Sequence, residues 1–169
     1  MHQFDITPSC PDPETLTQLL DLCFGPGRLA RTAERLRENN RAIDHYTRSA
    51  VDTNGMLVGT ISFWPIAIGT GEATSYGLLL GPLAVHPSMQ GGGVGQKLMQ
   101  DALAAIDEAS FDFVLLVGDL PYYERAGFGV APPAVTLPGP VDPQRLLLRG
   151  AADICAALSG KVRPAPEMC

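Results

Sequence analysis

The spacing of apolar and polar positions changes several times along the chain, and each change predicts an element. Phe4-Asp5-Ile6 alternates, which reads as a short first strand. Pro8 to Pro13 reads as a loop. Leu16, Leu19, Leu20 and Cys23 then recur at helical spacing over Glu14–Phe24, with Asp12 or Thr15 as the cap and Gly25-Pro26-Gly27 as the break. A second helix is expected over Leu29–Arg37. Arg28, Arg31, Glu34, Arg35, Arg37 and Glu38 make it a charged outer face, which reads first as a solvated surface and second as a phosphate patch. Tyr46–Asp52 and Met56–Ile68 flank Asn54-Gly55, a strong hairpin signal. Phe111–Val117 is a short, fully apolar strand. Tyr122–Ala126 is helical in character, with Gly127 as its C-cap. Val135–Leu137 and Leu146–Arg149 read as strands and Ala151–Leu158 as a short helix. Pro164-Ala165-Pro166 is expected to be a mobile end.

The stretch from Leu78 to Ile106 organises the rest. Leu78–Leu80 and Leu83–Val85 are apolar without a charge, as in a strand buried on both faces. Gly81-Pro82 interrupts them, and a proline has no N–H for a ladder, so a bulge or splay is expected there. His86-Pro87-Ser88 ends the strand. Four glycines follow among the five residues 91–95. Then Val94, Leu98, Ala102, Ala105 and Ala109 fall on one helical face, while Gln96, Lys97, Gln100, Asp101, Asp107 and Glu108 face outward. The glycines therefore sit where a strand feeds a helix N-terminus. There the first-turn N–H groups lack intrahelical partners, and with the aligned peptide dipoles they form an anion site. Each N–H to a charged oxygen contributes about 1.5–3 kcal/mol, so a few can hold a pyrophosphate.

Spacing decides which pyrophosphate. Lys97 follows Gln96 and precedes Leu98, so the Walker pattern fails. Neither pairing of the glycines completes Gly-x-Gly-x-x-Gly. Gln90, Gly93 and Gly95 do fit Gln/Arg-x-x-Gly-x-Gly/Ala, preceded by Leu83-Ala84-Val85-His86-Pro87. This resembles the acetyl-CoA-binding core of the GNAT superfamily of N-acetyltransferases. Tyr122-Tyr123-Glu124-Arg125-Ala126-Gly127-Phe128 resembles that family's second signature, one helix and one strand later. The likeness covers Asn54 to Val130 well, and the Gly118-Asp119 segment before the paired tyrosines is similar to that of a bacterial subgroup.

The resemblance implies an α/β (α+β) fold: a twisted mixed sheet with helices on both faces and a splay between two central strands that admits pantetheine. It implies a single domain over residues 1–169, with its core at 54–130 and a C-terminal strand and helix extension at 131–169. It assigns acetyl-CoA, as co-substrate, to Leu83, Ala84 and Val85 through the strand backbone. Gln90, Gly91, Gly92, Gly93, Val94, Gly95 and Gln96 take the phosphates. Tyr123 is the catalytic residue, contacting the sulfur, and Tyr122 is read as packing. The chain departs from the family at Gly91 and Gly92, where many members carry an arginine. It departs again at Gly118–Pro121, where many carry an asparagine. Phosphate binding is thus left to backbone N–H groups and Lys97.

Chemistry gives Tyr123 a task. A thiol has a pKa of about 8.5 and a phenol about 10, so full proton transfer to the departing thiolate runs uphill by about 2 kcal/mol. Tyr123 therefore reads as a hydrogen-bond donor to the developing thiolate, with protonation of that thiolate as a second role left open. The amine side is harder to read. An alkylamine with a pKa near 10.4 is neutral in only about one molecule in a few thousand at pH 7. Glu72, His86, Asp119 and His45 are candidate bases, and none is assigned. His86 reads better as part of a strand-ending turn.

Composition narrows the partners. The chain has 169 residues, 46% of them apolar and 18% charged, enough for a folded core. A formal charge of −6 argues against non-specific nucleic-acid binding, which relies on lysine and arginine. Cys10, Cys23, Cys155 and Cys169 lie far apart, with no metal spacing among them or with His2, His45 and His86, so no metal is expected. No apolar stretch matches a membrane span or a leader, and a cytoplasmic protein without a membrane partner is expected. The expectation is direct acetyl transfer to a primary amine of a small molecule or peptide, with a homodimer allowed. The alternatives are a CoA- or acyl-CoA-binding regulatory module without turnover, and a nucleotide-binding protein of another fold.

Overall fold

The computed structural model describes residues 3–169; His2 lies outside the described residues. Its contacts group into two compact units. One holds the residues up to Leu29 with Ile43–Phe63 and Gly81–Ala109; the other holds Ala30–Ala42, Trp64–Leu80 and Ser110–Cys169.

The first unit contains β1 (Phe4–Thr7), α1 (Pro13–Phe24), β2 (Arg48–Asp52), the start of β3 (Leu57–Ile68), the end of β4 (Ser75–Val85) and α2 (Val94–Asp107). Its strand order is β1-β2-β3-β4. β1 and β2 are antiparallel, with Phe4 opposite Asp52, and β2 and β3 are antiparallel, with Arg48 opposite Ile61. The hairpin is closed by the Asp52 carboxylate, which accepts from the N–H groups of Asn54 and Met56, while Gly55 takes φ 79°. Asp12 caps α1 by accepting from the Thr15 N–H at 3.1 Å. Leu19 and Leu20 of α1 bury against Ala84, with Leu16, Cys23, Phe24 and Leu57 around them. α2 packs on β1 and β2 and buries Val94, Leu98, Met99, Ala102, Leu103 and Ile106. Ala105 and Ala109, expected on the same face, are only part-buried. The buried stripe turns toward the larger side chains, where more apolar area leaves water.

The second unit contains the rest of β3 and β4, then β5 (Phe113–Val117), α3 (Leu120–Tyr123), β6 (Gly129–Val130), β7 (Val135–Thr136), β8 (Leu146–Gly150), α4 (Ala152–Ala157) and β9 (Gly160–Pro164). Its order is β3-β4-β5-β8-β6, with β9 beside β3 and β7 beside β9. β4 and β5 are parallel and β5 and β8 antiparallel, so the sheet is mixed. The β4–β5 ladder ends at Leu79 opposite Leu115, just before Gly81-Pro82. The core gathers Ile66, Ile68, Leu79, Phe113, Leu115, Leu146, Leu148 and Val162, among others.

Two expectations are corrected. No continuous helix spans Leu29–Arg37; Pro26–Ala30 and Thr32–Leu36 form two separate 3-10 turns. Tertiary bonds override the local pattern: the Thr32 hydroxyl donates to the Pro140 carbonyl and Arg35 Nη1 to the Pro138 carbonyl. Arg28 pairs with Asp21 at 2.9 Å, and Arg37 pairs with Glu34 and lies over the Trp64 ring. The chain end is also held. β9 pairs Val162 with Ile68 and Pro164 with Ile66, and Ala165 is buried and donates its N–H to the Pro65 carbonyl.

Candidate functional site

In the first unit, Leu83, Ala84 and Val85 are the last residues of β4. Ala84 points into the core, while Leu83 and Val85 are part-exposed. The Val85 carbonyl accepts from Cys23 Sγ at 3.3 Å, and burial pushes that thiol's pKa up. The His86 N–H donates to the Val58 carbonyl. Its Nδ1 accepts from the Ser88 N–H and lies 2.8 Å from Ser88 Oγ, so the ring caps the 3-10 turn Pro87–Met89. This fits a structural part for His86.

The glycine turn follows. Gly91 takes φ 79° and Gly93 φ 83°, and a Cβ on either would meet nothing within 4 Å. Both glycines therefore serve backbone conformation and not packing. Gly93 is the N-cap of α2 and, as a glycine, brings no side chain to cap the helix. The N–H groups of Val94 and Gly95, in the first turn, have no carbonyl partner within the helix. Lys97 Nζ lies 5.4 Å from the centre of the Phe4 ring, an arrangement that no spacing along the chain announces.

Two features that hold α2 escape sequence reading. Gly59 of β3 passes under α2: a Cβ there would lie 2.8 Å from Val94 Cγ1 and 3.0 Å from Leu98 Cδ1. Arg48 is buried on β2; its Nε donates to Asp101 of α2, and its Nη1 donates to the carbonyls of His45 and Thr47. A glycine inside an apolar strand is the signal that could have found the first.

In the second unit, Tyr123 ends α3, whose N-cap is Asp119. Gly127 takes φ 89° directly after the following turn, as a C-cap glycine should. The Tyr123 ring meets Phe128 edge-on at 5.9 Å and Tyr122 at 4.9 Å. Tyr122, read as packing, is 39% exposed. Burial, with the fields of Tyr122 and Asp119 adding and that of Arg145 opposing, pushes the Tyr123 phenol up to about 12. Arg145 Nε lies 3.2 Å from Asp119 Oδ1. Of the candidate bases, Glu72 and His45 are exposed, and Asp119 is engaged by Arg145. Among the described residues, no group of three or more His, Cys, Asp or Glu could hold a metal ion, and no helix is long and apolar enough to cross a membrane.

The sequence profile of the acetyltransferase (GNAT) domain family matches residues 44–130. This chain belongs to the GNAT acetyltransferases. Its similarity to individual members is moderate. The uncharacterized N-acetyltransferase YhbS of Escherichia coli (strain K12) is 29% identical over 82 residues, which is 48% of this chain and 48% of YhbS. The match thus spans about half the length of the curated relatives. The crystal structure of Escherichia coli YhbS in complex with CoA aligns over 99% of this chain and 91% of that one, with TM-score 0.72 at 22% identity. A GNAT family acetyltransferase from Brucella melitensis, solved with acetyl-CoA, aligns over 90% and 99%, with TM-score 0.57 at 29% identity. The mixed sheet described above is the GNAT fold.

Proposed function

We propose that this GNAT protein is an N-acetyltransferase that moves the acetyl group of acetyl-CoA directly to a primary amine of a small molecule or peptide. The observation that carries the reading is the glycine turn at 90–96, which opens onto the N-terminus of α2, where the N-cap Gly93 has no side chain. Two of its glycines hold positive φ with open space where a side chain would be. An anionic diphosphate can therefore approach main-chain N–H groups closely, and the helix dipole favours its charge. Family membership, and the CoA and acetyl-CoA bound by the structures above, support the identity of that diphosphate.

On this reading Gln90, Gly91, Gly92, Gly93, Val94, Gly95 and Gln96 hold the phosphates. Leu83, Ala84 and Val85 pair with pantetheine through the backbone, and an N–H there polarises the thioester carbonyl. Tyr123 donates a hydrogen bond to sulfur as negative charge develops on it. A phenol at about 12 is far too weak an acid to protonate a thiolate whose thiol ionises near 8.5; the gap of about 3.5 units is about 5 kcal/mol. The high value therefore favours stabilisation by hydrogen bonding over proton transfer. The acceptor amine loses its proton to solvent or to a group of its own, and a peptide N-terminus with a pKa near 8 needs no dedicated base.

The test is an amine panel of polyamines, aminoglycosides, amino acids and peptide N-termini, scored by release of free CoA. Turnover with at least one primary amine, reduced roughly 100-fold or more in Tyr123→Phe with acetyl-CoA affinity kept, is the expected result. Tight acetyl-CoA binding with no turnover across the panel would favour a regulatory binder. Preference for ATP or NAD over acetyl-CoA would end the acetyltransferase reading.

A further inference from the structure

Tyr123 stands on a single helical turn, which fixes a side chain only loosely by itself. Its ring is seated by a residue outside that turn. A Cβ on Gly118 would lie 2.5 Å from Tyr123 Cε2, 3.1 Å from its Cδ2 and 3.0 Å from Leu116 Cδ1. Gly118 does not occupy the left-handed region, so its backbone would accept any L-residue. What the glycine supplies is room. The slot is also held from outside: the Gly118 N–H donates to the Arg145 carbonyl at 2.9 Å, and Arg145 Nε reaches Asp119 Oδ1 at 3.2 Å. The ring also meets Phe128, at an interplanar angle of 73°. Gly118 thus has a fixed backbone and a missing side chain whose volume the Tyr123 ring occupies.

Resting on the reading of Tyr123 as the donor to sulfur, we propose that Gly118 is a positioning residue. Its bare backbone is the slot that fixes where the phenol sits, and so where its hydrogen bond is delivered. Alanine at this position must displace the ring, because strand and turn are tied on both sides and the ring is the part able to move.

Two readouts on the whole protein test this, and neither needs the acceptor. The first is a tyrosine titration by ultraviolet absorbance, with Tyr123 isolated by subtracting the matching Tyr123→Phe trace. In Gly118→Ala the Tyr123 midpoint should fall from about 12 toward the ordinary phenol value by about one unit or more, since a displaced ring regains water. An unmoved midpoint overturns the proposal. The second readout is the ionisation of bound CoA, labelled at its sulfur-bearing carbon and followed by NMR. The bound thiol should ionise below the free one. Tyr123→Phe and Gly118→Ala should each raise its pKa by about one unit, and the double variant should match Tyr123→Phe alone. Additive effects in the double variant overturn the link through Tyr123. A CoA signal that does not change on adding protein refutes the acetyl-CoA reading. A bound thiol indifferent to Tyr123→Phe refutes the donor role, and the absorbance titration still decides the seat. If Gly118→Ala is too unstable to assay, thermal melting decides: in a Tyr123→Ala background the alanine penalty should fall to the smaller part owed to Leu116 Cδ1, and a penalty of unchanged size overturns the seat.

Discussion

Tyr123 shows how a half-buried position sets the behaviour of one side chain. Its phenol is pushed up to about 12 chiefly because burial disfavours the charged form. In the unfolded chain it ionises near 10, so between the two values the native state binds more protons than the unfolded one. Stability from this group is therefore complete below about pH 10 and is lost as pH rises through about 12. Tyr123→Phe should remove that segment of the stability–pH curve, as urea titrations at stepped alkaline pH can show. A turnover profile should likewise carry no falling limb near 10 from this residue. Arg48 belongs to the same scale. Its guanidinium is buried, while its carboxylate partner Asp101 is 54% exposed, so water already compensates part of the pair. Asp101→Asn should lower unfolding free energy by about 1–2 kcal/mol, below the usual cost of breaking a fully buried pair, as read from urea midpoints at constant slope.

Among the elements, α2 carries the clearest division between stability and binding. Aspartate is a better N-cap than glycine by only a few tenths of a kcal/mol, and a left-handed φ costs an ordinary residue about 1–2 kcal/mol, so the net penalty is about 1 kcal/mol. Gly93→Asp should therefore leave the melting temperature within a few degrees. Its carboxylate would occupy the first-turn N–H groups and repel phosphate, so acetyl-CoA affinity should fall at least about tenfold, as calorimetry would show. Gly59→Ala should do the reverse, costing about 1–3 kcal/mol by overpacking against Val94 and Leu98. α2 and the hairpin were legible in the sequence because their signals are local: a 3.6-residue apolar period, and Asn54-Gly55 between alternating runs. The stretch Leu29–Arg37 misled because its charge pattern is helical, while its conformation is set by carbonyls from Pro138 and Pro140, more than a hundred residues on. Gly59 and Gly118 were visible as letters, but their roles were not. A missing side chain has meaning only once its neighbour is known, and no spacing rule supplies Val94 or Tyr123 as that neighbour.

At the scale of the whole molecule, each unit has its own core, and β9 shows how far the sequence signal can fall short. Gly160-Lys161-Val162-Arg163-Pro164 offers a single apolar residue between two cations and ends in proline, a poor strand signature. Val162 is nevertheless 1% exposed and packs into the second core beside Ile66 and Ile68. Val162→Asp should bury a charge there and cost about 3 kcal/mol or more, seen as a large drop in the urea midpoint. Ile66–Ile68 meet their β9 partners across about a hundred intervening residues. A ribosome adding about 5–20 residues each second needs roughly 5–20 s to deliver that stretch. Throughout that interval the nascent chain carries an apolar strand with one border unmatched, a template for pairing with a neighbouring polysome product. Recovery of native protein from rapid overproduction should accordingly rise with slower translation or with a holdase supplied during synthesis.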